Sequence, residues 1–337
     1  MALSSFRFNT LKSFFSWHNP TFRSLAYQGL LLAALALLAW FLVSNTLANL
    51  AARNVATGFD FLHDEAGFAI SESLIAYNPA DTYARAISVG ILNTLKVALV
   101  GAFLATVLGG LIGLARLAAN PLLAGLARSY IEVMRNIPLL LQLFFWYALI
   151  TEAAPGPRQA LDLLPGVFLS NRGLVIPNID FHTLTLSLPV LKGFNFSGGM
   201  TISPEFLALL LGLVLYTSAF VAEIVRSGIQ AVSKGQWAAG RALGLAERQV
   251  LRLVVLPQAL RVMIPPMTSQ YLNLTKNSSL AVAVGYPDIV SVVNTTLNQT
   301  GQAIEGVMII MAAYLTVSLS IAVLMNWYNR RMAMVAR

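Results

Sequence analysis

Lys234-Gly235-Gln236-Trp237-Ala238-Ala239-Gly240-Arg241-Ala242-Leu243-Gly244-Leu245 and, ten residues after Gly244, Val254-Val255-Leu256-Pro257 form the stretch on which the reading of this chain turns. Glycine interrupts a helix and proline removes a backbone donor. The spacing therefore predicts two short helices parted at Gly244 and closed at Pro257. The small residues Ala238, Ala239 and Gly240 leave a surface that another protein can approach closely. Arg241, Arg248 and Arg252 line one face, either toward such a partner or as simple membrane-side anchors.

On both sides of this segment the chain turns apolar. Of 337 residues, 57% are hydrophobic and 11% charged, with a mean hydropathy of +0.70. A soluble domain carries about 25% charged residues, so a water-soluble fold is excluded and the bilayer is the solvent. A spanning helix needs about 20 apolar residues. Runs of that order fall near 26–48, 87–114, 130–150, 205–223, 264–285 and 303–327. Inside lipid the backbone must satisfy itself, which makes helices the default. The expectation is an all-α integral membrane protein with about six transmembrane helices. The first run, from Leu25 to Val43, exceeds a signal-peptide core and lacks a small-residue cleavage site, so it reads as a retained helix.

The basic residues set the orientation. Segments 1–24, 115–128, 224–261 and 328–337 hold fourteen of the 22 Lys and Arg, against five in the alternate segments. Both termini are thus expected in the cytoplasm, together with the quoted stretch. The net charge of +8 is a topology signal, and no nucleic-acid partner is expected. The arm before the first span mixes Phe6, Phe8, Phe14, Phe15 and Trp17 with Arg7, Lys12 and Arg23, an interfacial anchor. Segment 51–85 gathers Asp60, Asp64, Glu65, Glu72 and Asp81 around three phenylalanines and is expected along the membrane face. Segment 152–204 is broken by Pro155, Pro157, Pro165, Pro177 and Pro189; a partner or lid role and a plain spacer both remain open.

What is missing narrows the function further. There is no cysteine, and His18, His63 and His182 lack ligand spacing, so no metal site is expected. No Gly-Lys dipeptide occurs, hence no phosphate-cradling Walker loop, and no hydrolase or metalloprotease motif appears. The chain reads as a non-enzyme whose energy source lies in another chain or in an ion gradient.

Ionisable and polar groups within the spans are functional candidates by default. Glu132 and Arg135, three apart, can pair on one helical face, and Asn136-Ile137-Pro138 should kink the third span. Glu223 and Arg226 offer a similar pair at the end of the fourth span, with Tyr216, Thr217 and Ser218 deeper in it. In the fifth, Asn273, Thr275, Lys276, Asn277, Ser278 and Ser279 place six polar groups in seven residues. Such a cluster cannot face lipid, so it faces water, a subunit or an unwound segment. Lys276 with its neighbouring amides and hydroxyls could receive a carboxylate. Gly109, Gly110 and Gly113 provide a small-residue face for helix packing.

The opening stretch resembles the Glu-Ala-Ala-x3-Gly-x9-Ile-x-Leu-Pro loop of ABC importer permeases, and every interval fits. Lys234-Gly235-Gln236, Ala222-Glu223, the run from Tyr130-Ile131-Glu132 to Gln142-Leu143, and Lys276-Asn277-Ser278-Ser279-Leu280 resemble the polar amino-acid branch. The additional first helix and Leu169-Ser170-Asn171-Arg172-Gly173-Leu174 look like the general L-amino-acid permease subgroup. Ala238 stands where the motif has its acidic residue, and Gly240 where it has its second alanine.

The resemblance implies a type I ABC importer transmembrane fold over 86–327, with a periplasmic insertion at 152–204 and a cytoplasmic coupling loop at 224–261. Residues 1–85 precede it as arm, first helix and periplasmic loop, and 328–337 follow as a basic tail. It further implies a permease subunit of an ATP-driven, binding-protein-dependent amino-acid importer in a bacterial inner membrane. ATPase subunits would dock at Gly235, Gln236, Ala238, Ala239, Gly240, Arg241, Gly244, Leu256 and Pro257, holding ATP and Mg while this chain carries no cofactor. A second, different permease chain and a periplasmic amino-acid-binding protein complete the expected assembly. Arg135, Asn136, Tyr216, Thr217, Ser218, Asn273, Lys276, Asn277, Ser278 and Ser279 are the candidate substrate path. A stand-alone secondary transporter or channel for small polar solutes is the alternative; it leaves the loop unexplained.

Overall fold

A computed structural model describes residues 20–52, 57–180 and 185–334. The aromatic arm before residue 20, His18, His182 and the last three residues of the basic tail lie outside the described residues. The chain divides into two units, Met1–Gly58 and Phe59–Arg337. The first contributes helix α1, Pro20–Ala52, in which no residue is buried. Leu30, Leu32, Trp40 and Phe41 stand exposed along it, as suits a helix apolar on every face.

The second unit is a helical bundle. Helix α2 spans Tyr83–Ala115, α3 Pro121–Asn136, α4 Leu139–Ala148, α5 Pro204–Gln230 and α6 Lys234–Ala242. Helix α7 covers Leu256–Asn277, α8 Ile289–Thr300 and α9 Ala303–Met334. Among the described residues, counting α1, five helices are long and apolar enough to cross a membrane, and six if the bent pair α3–α4 makes one span. The predicted number of spans therefore holds, and the chain is a multi-pass membrane protein.

Local chemistry sets the helix starts. Thr82 accepts from Arg85 N–H to cap α2, and Asn120 accepts from Leu122 N–H ahead of Pro121. Ser203 accepts from Phe206 N–H ahead of Pro204. Each cap satisfies a donor that the first turn leaves free. The most extensive packing is α2 on α5, and it is close: a Cβ on Gly109 would lie 2.6 Å from Val221 Cβ, and one on Gly113 2.7 Å from Ala222 O. Gly110 faces open space and takes no part. Val97, Leu143, Leu209, Leu213, Val284 and Tyr286 close the core between α2, α4, α5 and the end of the fifth span.

Three expectations need correction. The third span does not kink; it breaks, and α3 and α4 meet at 101°. Pro138 has no N–H and Ile137 is extended, and the Gln142 amide repairs the gap by donating to Met134 O and Ile137 O, both at 3.0 Å. Glu132 does not pair with Arg135. It accepts from Arg128 at 2.7 Å, one full turn back, while the Arg135 guanidinium lies over the Phe220 ring at 4.9 Å. Within segment 51–85, expected along the membrane face, Phe61, Phe68 and Ile70 pack with Tyr83, Ile87 and Ile289.

Pro257 does not close a helix either. From Glu247 the chain runs helically through a wider turn, Val250–Val255, straight into α7 and on to Val284. The widened turn accommodates the proline ring at a helix start. The proline-broken segment 152–204 also holds more order than a loop. It carries strands β1 Leu161–Leu164, β2 Val167–Ser170, β3 Gly173–Ile176, β4 Asn178–Asp180, β5 Thr185–Ser187, β6 Val190–Lys192, β7 Asn195–Ser197 and β8 Met200–Ile202. Four of these make an antiparallel sheet in the order β1-β2-β3-β8, and the others pair as two hairpins. The membrane body remains helical.

Candidate functional site

Two places gather the polar and small residues singled out in the sequence. The first is a cavity of about 300 Å³ between α5 and α7, lined by Tyr216, Thr217, Phe220, Gln270, Asn273, Lys276 and Asn277. Positions 270, 273 and 277 recur at helical spacing on one face of α7, and 216, 217 and 220 do so on α5. The Tyr216 and Phe220 rings meet at 5.0 Å, tilted by 54°, and the Arg135 guanidinium also lies over Phe220. The lining includes one ammonium, three amides and two hydroxyls but no carboxylate. Among the described residues no ion pair engages Lys276. The cavity can therefore receive an anion at Lys276 while offering amide oxygens to a donor.

Several candidates from the sequence lie elsewhere. Ser218 is buried and shares a 2.8 Å hydrogen bond with the Tyr130 hydroxyl, joining α5 to α3. Ser278 donates to Thr275 O at 2.7 Å and Ser279 to Lys276 O at 2.8 Å, where the helix tightens after Asn277. Asn136 donates to Glu132 O at 2.7 Å and finishes α3. Arg135 reaches the cavity only through Phe220. The sequence reading missed Gln270 and Phe220. The face 270, 273, 277 would have found the first; nothing marked the second.

The second place is the elbow between α5 and α7. Gly235, Gln236, Ala238 and Ala239 are exposed along α6, and Leu243 is 80% exposed at its end. Gly240 is buried: a Cβ there would sit 3.0 Å from both Val250 methyls, so the glycine lets the two limbs close. Gly244 takes φ +77°, the left-handed conformation that ends α6, and Leu245 N–H returns to Gly240 O at 3.2 Å. Arg241 Nε donates to Glu247 Oε1 at 2.6 Å across the bend. The Gln258 amide reaches Gln236 Oε1 at 3.2 Å, and Leu256 stays partly exposed beside Pro257. Beneath, Trp237, Leu245 and Leu251 pack on Ile229, Val255 and Met263.

At the same end of the bundle, Glu223 accepts from both Arg116 and Arg226, so the predicted Glu223–Arg226 pair forms and also ties α2 to α5. Among the described residues no group of three or more His, Asp or Glu comes together as a metal site. A larger apolar groove, about 720 Å³, runs between α2, α7 and α9 past Leu95, Leu99, Ile309 and Leu324, and suits acyl chains rather than a polar solute.

Comparison with known proteins bears on the family and the fold. Residues 105–334 match the family described as binding-protein-dependent transport system inner membrane component. The amino-acid ABC transporter permease protein YhdX of Escherichia coli (strain K12) is 45% identical over 99% of this chain and 100% of its own length. The general L-amino acid transport system permease protein AapQ of Rhizobium johnstonii is 44% identical over 95% of this chain and 94% of its own. Among solved structures, an amino acid ABC transporter with histidines matches with a TM-score of 0.54 at 27% identity, covering 74% of this chain and 95% of that one.

Proposed function

This chain belongs to the family of binding-protein-dependent transport system inner membrane components, and from that premise we propose that it is a permease subunit of an ATP-driven amino-acid importer in a bacterial inner membrane. ATP and Mg are held by separate ATPase subunits, which dock on the elbow 234–257. A periplasmic amino-acid-binding protein delivers the solute to the opposite end. The permease names of YhdX and AapQ support the substrate class and the division of labour.

One observation carries the reading: the second limb of the elbow, against which the exposed helix α6 closes at Gly240 and Val250, belongs to the same continuous helix as the cavity wall, Glu247–Val284. Motion imposed on the elbow by closing ATPases passes along this helix, through Pro265 and Pro266, to Asn273, Lys276 and Asn277. In the cavity, Lys276 receives the amino acid's carboxylate, and Thr217, Gln270, Asn273 and Asn277 offer oxygens to its ammonium. The missing acid at Ala238 leaves the elbow with one carboxylate, Glu247, which Arg241 already engages. A partner permease that keeps the acidic residue completes the docking, so the translocation path is shared by two different chains.

The test is purification of the chain from a bacterial membrane with its bound subunits. A nucleotide-hydrolysing subunit should copurify, and the reconstituted complex should hydrolyse ATP faster with binding protein and amino acid present. Lys276→Ala should assemble normally yet lose most uptake. A chain that transports amino acids alone, or a Lys276→Ala complex with normal uptake, would overturn the respective part.

A further inference from the structure

An ion pair against an aromatic wall lies at the other end of the bundle, unused by the mechanism above. Glu72, from the segment between Phe59 and Thr82, forms an ion pair through Oε1 with the Lys96 ammonium of α2. Its Oε2 accepts from the Ser203 hydroxyl, the cap of α5, at 2.7 Å. The same ammonium sits 4.1 Å above the centre of the Phe206 ring. Phe206 packs on Tyr286 at 5.5 Å, and the Tyr286 hydroxyl is fully buried with no hydrogen-bond partner among the described residues. Asn93 stands beside them, donating to Glu72 O and Pro287 O at 2.8 and 2.9 Å.

The donors and the acceptor have different origins. Lys96, Ser203, Phe206 and Tyr286 belong to the bundle, each fixed by a helix or by the core. The carboxylate comes from a segment that carries only a single turn of helix, Asp60–His63, before α2. Two donors meet two separate carboxylate oxygens against an aromatic wall, which is how a protein holds a free carboxylate. The pair is a quarter exposed, so water and small solutes reach it.

We propose that Lys96 and Ser203, backed by Phe206 and Tyr286, form a carboxylate-receiving site at the mouth of the path, and that the Glu72 side chain fills it until an arriving solute's carboxylate displaces it. Ser203 begins α5, and Tyr216 follows thirteen residues later, about 20 Å further in at 1.5 Å per residue. Helix α5 thus carries one residue of each site, Ser203 of the mouth site and Tyr216 of the cavity, while the two ammonium groups come from α2 and α7. The proposal rests on the importer reading for its direction of travel; the chemistry of the site does not.

Because the chain contains no cysteine, Glu72→Cys introduces a single thiol into the full-length protein. In lipid nanodiscs it is reacted with an anionic and a cationic methanethiosulfonate of similar size. The anionic reagent should react several-fold faster, acetate but not acetamide should slow it, and Lys96→Gln should abolish both effects. If Glu72→Cys does not fold, Ser203→Cys in a Glu72→Ala background reports the same site. In the assembled importer, Glu72→Ala should lower the KM for uptake with a smaller change in kcat, which a merely structural anchor would not do. Equal reaction with both reagents and no protection by acetate would overturn the mouth site. That outcome is independent of transport, so it is distinguishable from failure of the importer reading.

Discussion

The two ends of the bundle solve opposite problems with opposite chemistry. At the elbow, Ala238, Ala239 and Leu243 stand in the open, and a single glycine at φ +77° sets the bend. At the other end, Asn93, Tyr286 and Asp288 are fully buried, and a segment of the chain itself covers them. An end that must be grasped by another protein is kept bare and geometrically fixed. An end that receives solute is covered by polar groups whose alternative partners are few, and that makes the cover costly to disturb until a competing carboxylate arrives.

Three measurements sharpen or break this contrast. The largest effect is expected at the elbow. Gly244→Val forces a β-branched residue into the left-handed region, at a local cost of about 1–2 kcal/mol or more. Uptake by the assembled complex should collapse while the yield of folded chain hardly falls. If both fall together, the elbow is part of the fold's foundation rather than a bare handle.

At the sealed end, Asn93→Leu removes the donor to Glu72 O and Pro287 O and strands both carbonyls. The thermal unfolding midpoint in detergent should drop, by about 1–3 kcal/mol in stability. An unchanged midpoint would mean that the cover is held by its apolar residues alone.

The smallest effect concerns pH. Burial raises the Asp288 carboxyl to about 7, against the pull of the Ser291 and Val290 backbone N–H groups and the Tyr314 hydroxyl. The folded value lies above the ordinary 3.8, so folding favours the protonated form. That contribution is complete below pH 3.8 and fades as pH rises through about 7. Stability should be lower at pH 8.5 than at pH 6, and Asp288→Asn, which can still cap α8, should flatten the difference.

The contrast between the ends also governs what could be read from the sequence. The elbow was legible because its determinants are local: a glycine that must adopt positive φ, small residues beside it and fixed intervals. The spans were legible because a bilayer imposes a length. The cavity was half legible, since Asn273, Lys276 and Asn277 could not face lipid, but Phe220 became part of it only through packing with Tyr216 and Arg135. Where two partners competed, spacing alone misled. Glu132 could bond at i+3 or i−4, and the aromatic face of Phe220, distant in sequence, drew Arg135 away. The strands of 161–202 escaped notice because each is three or four residues long, too short to show an alternating pattern between prolines. The covering of the sealed end joins residues more than a hundred positions apart, such as Glu72 and Ser203, and no local signal encodes that.

The continuity of Glu247–Val284 has a mechanical corollary. From Glu247 to Asn273 is 26 residues, or about 39 Å of rod at 1.5 Å per residue. Pivoted at its base, such a rod swings its far reach sideways by about 3 Å for every ~5° of tilt, by simple trigonometry on that length. Pro265 and Pro266 lie partway along and lack the amide hydrogens that stiffen a helix. Leverage and compliance are built into one element, and the proline pair decides how much of a shove at the base arrives as displacement and how much is absorbed as bending.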